Sequence, residues 1–238
     1  MQVKQILNAA MGSLGYEINN LRHRQENNGG FTQYKIVKLD GSFDYEEYRR
    51  IQTWKNKRDI ETVWVKEPNI KFISEHLLNR FERPPKFGIC HGTKRGNEQA
   101  WFKKYLGCEV IGTDISDTAS QFTDTIQWDF HEVKPEWQNG VDFIYSNSLD
   151  HSYDPEKCIN AWMSCVRPGG YCIIEWHVQR VDANLTDPFG CDIMQLIYAI
   201  TNWGRGNYCV RETLPVPENP EYIRFVVLYK FIEGRRLS

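Results

Sequence analysis

Residues Lys86–Asp114 constrain the fold of this chain more than any other stretch. They read KFGICHGTKRGNEQAWFKKYLGCEVIGTD. A short β-prone run, Phe87–Cys90, enters a loop that carries Gly92 and Gly96. A helical stretch follows, with Trp101, Phe102 and Tyr105 at helical spacing, and a second apolar strand, Val110–Thr113, ends at Asp114. This is the βαβ unit of a nucleotide-binding sheet: the loop lets backbone approach the ligand, and the acid after the second strand meets ribose hydroxyls. Two glycines four apart are common in loops; the order of elements around them gives them meaning.

The alternation continues after Asp114. Thr125–Trp128 reads as a short strand leading to Asp129. Val141–Tyr145 and Tyr171–Glu175 are nearly continuous apolar runs, as in strands buried on both faces of a parallel sheet. Between them, Asp154 is placed as an N-cap with Pro155 at the first helical position, and Ile159, Trp162, Met163 and Val166 form a core face. Arg167–Gly170 ends that helix. A further helix is predicted from about Cys191 to Ile200, and two last strands, Tyr208–Leu214 and Arg224–Phe231, are predicted to pair antiparallel across PVPENP. The expected fold is α/β: a Rossmann-like, mostly parallel seven-stranded sheet with one antiparallel strand, helices on both faces, and a mainly helical N-terminal lid.

The lid is expected over residues 1–83 and the core domain over 84–238. Ile6, Ala10, Leu14, Ile18 and Leu21 predict a helix over Val3–Leu21. Phe31–Leu39 has strand character. Tyr45–Ile60 predicts a solvated helix with Tyr48, Ile51 and Trp54 inward, its basic residues forming either a wet face or a lid that offers a cation to substrate. Asn69–Phe81 carries an apolar stripe and stops before Pro84-Pro85.

Composition narrows the function. A formal net charge of -2 lacks the basic excess of nucleic-acid binders. No apolar run approaches ~18 residues, so no membrane span is expected. The seven cysteines are odd in number, form no C-x-x-C and sit in apolar segments, which predicts buried, reduced thiols in a cytoplasmic protein. Oligomeric state stays open.

With these residues in view, Lys86–Phe231 resembles the class I S-adenosylmethionine (SAM)-dependent methyltransferases of small-molecule type. GICHGTKRGNE is similar to their glycine loop, VIGTDIS to the strand whose acid holds the ribose, and TIQWDFHE to the segment whose Asp meets the adenine. VDFIYSNSLDHSYDPEKCINAWMSCVRPGGYCIIEWH resembles the stretch from the fourth to the fifth strand. The loop departs from the family pattern: Gly88 stands where an acid is usual, and Cys90 takes the place of the first glycine, so Glu98, Lys94 or Arg95 could take over part of holding the methionine end. The resemblance implies SAM as cofactor, with Gly92, Thr93, Asp114, Ile115, Asp129, Phe130 and Asn147 as its contacts.

Methyl transfer is an in-line displacement, so proximity and alignment dominate. A hydroxyl acceptor also benefits from a general base. His151 leads the candidates, with Asp150 orienting it or acting itself, and His177 after the fifth strand is the second. His131 is expected beside the adenine or at the surface, and His91 against the cofactor. Asp150, His151 and His177 could alternatively hold a divalent metal, but no metal is expected. The function read from the sequence is O-methylation of a small polar acceptor, such as a sugar or sugar nucleotide, with surface-polysaccharide biosynthesis as one setting. A non-catalytic SAM-binding partner subunit and an NAD-dependent oxidoreductase stay as alternatives.

Overall fold

The structure is a computed structural model that describes residues 22–28 and 30–232. The helix expected over Val3–Leu21 lies outside them. The chain opens with a hairpin of β1 (Arg22–Asn28) and β2 (Phe31–Val37). Helix α1 (Tyr45–Arg58) starts where the Asp44 carboxylate accepts from Glu47 N. It has Glu46 and Glu47 in its first turn and Lys55, Lys57 and Arg58 in its last, the order a helix dipole favours. Trp54, expected inward, proves exposed. Helix α2 (Glu67–Leu78) takes Pro68 into its first turn, where a missing N–H costs nothing, and buries Ile70, Ile73 and Leu77.

The core domain then alternates: β3 (Phe87–His91), α3 (Asn97–Leu106), β4 (Glu109–Asp114), β5 (Thr125–Gln127), β6 (Val141–Ser146), α4 (Pro155–Cys165) and β7 (Val166–His177). Asp154 caps α4 through Lys157 N, as its place before Pro155 predicts. The chain ends with β8 (Gln179–Arg180), β9 (Phe189–Asp192), α5 (Ile193–Gly204), β10 (Tyr208–Pro215) and β11 (Ile223–Lys230).

The main sheet has seven strands in the order β10-β11-β7-β6-β3-β4-β5. Strand β11 is antiparallel to both β7 and β10, so it alone runs against the rest. Helices cover both faces. On one face Ile89, Ile144 and Ile174 pack with Trp162 of α4 and Leu196 and Ile200 of α5. On the other, Cys90, Phe143, Tyr145 and Ile173 pack with Ile70, Ile73 and Leu77 of α2 and Phe102 of α3. All seven cysteines are unpaired, five of them buried. No helix of the described residues is long and apolar enough to cross a membrane.

The lid differs from expectation. Its described part is not purely helical: beside α1 and α2, the strands β1 and β2 join β9 and β8 in a separate four-stranded sheet, order β1-β2-β9-β8. Two features hid this sheet. RHRQENN has no apolar alternation, and β9 has only four residues directly ahead of a helix. What fixes it is tertiary: Phe31 packs edge-on against Phe189 and Trp203, at 5.8 and 6.2 Å between ring centroids.

Candidate active site

Strand β3 has β4 on one side and β6 on the other, both parallel to it, so the chain departs in opposite directions from this pair. Ligands of such sheets bind at the carboxyl ends beside that switch. Here these ends open into a cavity of about 840 Å³. Most candidates from the sequence line it: Gly92, Thr93, Asp114, Ile115, Asp129, Phe130 and Asn147, and with them Asp150, His151 and His177; His91, expected against the cofactor, and His131 do not.

The glycine loop is built to come close. Gly92 has φ 72, and a Cβ there would lie 2.6 Å from the Ser148 side chain. Its N–H and that of Thr93 both donate to Thr113 O, at 2.8 and 3.1 Å. Gly92 O accepts from the Ser148 hydroxyl. The loop therefore offers the cavity backbone surface rather than free donors from these two residues. Lys94, also left-handed at φ 51, donates its N–H to Asp114 Oδ2 at 3.0 Å. Its Nζ donates to Asp59 O and Thr62 O, tying the loop to the segment after α1.

Asp114 fits a ribose. Ser116 N donates to its Oδ1 at 2.9 Å, so each oxygen holds one backbone N–H and keeps a lone pair. Burial raises its carboxyl above the ordinary Asp range, and those two N–H groups offset part of that rise. The cavity volume, the left-handed Gly92 packed close on Ser148 and the half-used carboxylate suit an adenosyl ligand.

Asp129 is more engaged than the sequence implies. The Tyr45 hydroxyl donates to its Oδ2 at 2.7 Å, and His131 donates to Oδ1 from both N (2.9 Å) and Nδ1 (2.7 Å). Burial alone would raise this carboxyl; the His131 contacts and the Tyr45 hydroxyl outweigh it and hold it low. With its proton on Nδ1, His131 accepts from the Ser152 hydroxyl at Nε2, 2.8 Å away. Ser152, His131 and Asp129 thus stand in the order of a hydrolase triad. Ser152 is fully buried and does not line the cavity, so the trio braces α1 through Tyr45 and presents no nucleophile. His91 is likewise internal. It stacks on Trp162 at 5.2 Å, shares a hydrogen bond with Thr113 Oγ1, and burial pushes it down to about 3.

His151 sits where α1, the turn after β6 and the loop before β9 meet. Its Nδ1 lies 2.9 Å from Thr186 O and 3.0 Å from Gln52 Oε1, whose own Nε2 donates to Thr186 O. Both partners of Nδ1 can only accept, so Nδ1 carries the hydrogen and Nε2 of the neutral ring bears a lone pair. Nε2 stands 3.9 Å from Asp150 Oδ1. The Arg180 guanidinium pairs at 2.8 Å with both Asp150 and Asp187. Asp150, His151 and Asp187 lie close enough to share an ion, within 4.8 Å; His177 is not in that group. His177 also lines the cavity, stacked on Tyr222, with Nδ1 accepting from Gln179 N.

Sequence reasoning passed over Arg180, Asp187, Gln52 and Glu175, all of which line the cavity. Only Glu175 carried a signal, as a carboxylate ending an apolar strand. The others come from the short β8–β9 sheet or from a helix face that reads as solvated.

Comparison with known proteins places these observations. Residues 89–174 match the family described as "Methyltransferase domain". No curated protein matches the chain by sequence. Among solved structures, the Burkholderia thailandensis 1,6-didemethyltoxoflavin-N1-methyltransferase, with its substrate and S-adenosylhomocysteine bound, superposes with a TM-score of 0.60 at 14% identity. The match covers 88% of this chain and 100% of that one. The glycopeptide N-methyltransferase MtfA with SAM superposes at 0.52 and 11% identity, over 67% of this chain and 86% of that one. The [4+2]-cyclase SpnF superposes at 0.54 and 11% identity, over 68% and 81%. At these identities the likeness is one of fold.

Proposed function

We propose that this chain, a class I SAM-dependent methyltransferase, methylates a hydroxyl of a small polyhydroxylated acceptor, with His151 as general base. The observation that carries the reading is the fixed tautomer of His151. Thr186 O can only accept from Nδ1, which leaves Nε2 free to take a proton in the cavity. When bound, SAM supplies an electrophilic methyl group on a sulfonium. Asp114 would hold its ribose, Ile115 and Phe130 would wall its adenine, and the Gly92 loop and Asn147 would face its methionine.

His151 Nε2 would take the proton of the acceptor's hydroxyl as that oxygen displaces S-adenosylhomocysteine from the methyl carbon, the carbon–sulfur bond breaking as the oxygen–carbon bond forms. Asp150 Oδ1, 3.9 Å from Nε2, and Asp187 Oδ1, 3.7 Å from Nδ1, stabilise the positive charge that develops on the ring. Arg180 pairs with both carboxylates at 2.8 Å and holds them in place for that task. Asp150 Oδ1 and Arg180 Nε are buried and have no hydrogen-bond partner. An acceptor-only atom beside a donor-only one suits a pair of neighbouring sugar oxygens, one donating and one accepting. His177 and Tyr222 would form the acceptor wall. Such acceptors suit a cytoplasmic enzyme of surface-polysaccharide biosynthesis. The neighbours that share the fold include methyltransferases of nitrogen; the base-competent histidine is what favours oxygen here, since an uncharged amine needs no base.

The test is a screen of sugars and nucleotide sugars with SAM, followed by His151→Ala on any acceptor found. Turnover that collapses in the variant while SAM binding persists supports the reading. Turnover on an amine acceptor that His151→Ala leaves unchanged would overturn it.

A further inference from the structure

The cavity lining holds two buried carboxylates that the proposed chemistry does not use. Glu98 is the second residue of α3, 7% exposed, and its Oε2 has no hydrogen-bond partner. Glu175 ends the apolar run of β7, 8% exposed, with Tyr145 OH donating to Oε2 at 2.7 Å and Asn69 Nδ2 to Oε1 at 3.3 Å. Both line the cavity. The nearby cation, Lys94, directs its Nζ to the carbonyls of Asp59 and Thr62 and not to either carboxylate. A buried acid with an unpartnered oxygen is costly unless something charged completes it.

We propose that Glu98 and Glu175 form a subsite for a primary ammonium group, the α-ammonium of the methionine portion of SAM. This rests on the SAM reading above and adds which residues hold the amino-acid end. It also accounts for the departure in the glycine loop. No acid can stand at position 88, because a Cβ there would meet the Phe143 ring at 2.2 Å. Negative charge is supplied instead from the head of α3, which the glycine loop launches, and from the end of β7. Burial, the charges of Glu175 and Asp114, and too little relief from Lys94 push the free Glu98 carboxyl up to about 8. Cys90 and Tyr145 also face this group, and burial raises both well above their ordinary range. An arriving ammonium favours the ionised carboxylate, so binding at pH 7 should release a proton.

The experiment is calorimetric titration of the full chain with S-adenosylhomocysteine, which carries the ammonium, and with 5′-methylthioadenosine, which lacks the amino-acid end. In Glu98→Gln the first ligand should weaken about ten- to hundredfold, the loss of a hydrogen bond to a charged group. The second should bind as in the wild type, which also reports that the variant is folded. Glu98→Asp should recover part of the lost affinity, and Glu175→Gln should repeat the pattern. The heat of S-adenosylhomocysteine binding at pH 7 should vary with the buffer's ionisation enthalpy in the wild type and cease to do so in Glu98→Gln. Equal affinities for both ligands in wild type and variants would overturn the proposal, as would parallel loss of both. A variant that changes only the acceptor's KM would assign the subsite to an acceptor amine, and so overturn it too. Wild-type protein that binds neither adenosyl ligand would instead refute the SAM reading itself.

Discussion

At the scale of single residues, the site turns on which ring nitrogen is free. His151 has Nδ1 engaged and Nε2 open; His177 has Nδ1 accepting from Gln179 N and its ring on Tyr222. The two histidines should therefore separate kinetically. His151→Ala is expected to lower kcat on a hydroxyl acceptor by about 10²–10⁴-fold, the usual range for a lost general base, with the Kd for SAM within twofold of wild type. His177→Ala should act mainly on acceptor KM. The Arg180 guanidinium gives a second expectation. It already supplies positive charge to both Asp150 and Asp187, so chelation of divalent ions should leave the rate unchanged. A rate that falls in EDTA and returns with Mg²⁺ or Mn²⁺ would show that the Asp150–His151–Asp187 group takes a metal in spite of the arginine.

At the scale of elements, Lys94 links the glycine loop to the N-terminal segment. Its N–H holds Asp114, and its side chain holds the segment after α1. Lys94→Ala removes the second link and keeps the first. Amide exchange over residues 59–66 should then quicken, with a larger effect on acceptor KM than on SAM affinity. Lys94→Gly should be more stable than Lys94→Ala by about 1–2 kcal/mol in a urea melt, because φ 51 suits glycine and strains alanine. Equal stability would mean the strain is relieved elsewhere. The elements that the sequence disclosed are those with dense local signals. The β3–α3–β4 unit has its apolar runs and terminal acid, and α4 has Asp154 and Pro155. The reversed β11 was legible because PVPENP is too short for a crossover helix. The β1-β2-β9-β8 sheet was not, since its strands are short or polar and acquire their pairing only from packing of Phe31 on Phe189 and Trp203. The candidate site divides the same way. Asp114 and His151 stand at strand ends that periodicity marks, whereas Arg180 and Asp187 reach the cavity through that unread sheet.

At the scale of the whole molecule, the two edges of the sheet divide the work. The carboxyl edge carries strained loops and uncompensated acids. The amino edge is held by Asp142, which is 2% exposed and accepts from Lys86 N (2.7 Å), Phe87 N (3.1 Å), Arg167 Nε (2.5 Å) and Arg83 Nη2 (2.9 Å). It thereby ties the start of β3 to β6 and β7. Burial alone would raise this carboxyl; the hydrogen bond from Arg167, the two N–H groups and the Arg167 charge outweigh it and depress it. A depressed folded pKa sets the sign. The stabilisation is fully present above the ordinary Asp value of about 3.9 and is lost as pH falls through the lower folded value. Asp142→Ala strands two guanidinium groups and two N–H groups, and should cost about 3–5 kcal/mol in a denaturant melt at pH 7. Its stability should also fall less between pH 5 and pH 2 than that of the wild type. SAM affinity, measured at a temperature where the variant is folded, should stay within twofold, because no cavity-lining residue contacts Asp142 through its side chain. Weakened SAM binding in folded Asp142→Ala would show that the amino edge also sets the geometry of the carboxyl edge, which would make strand register, and not only the loops, part of the cofactor site.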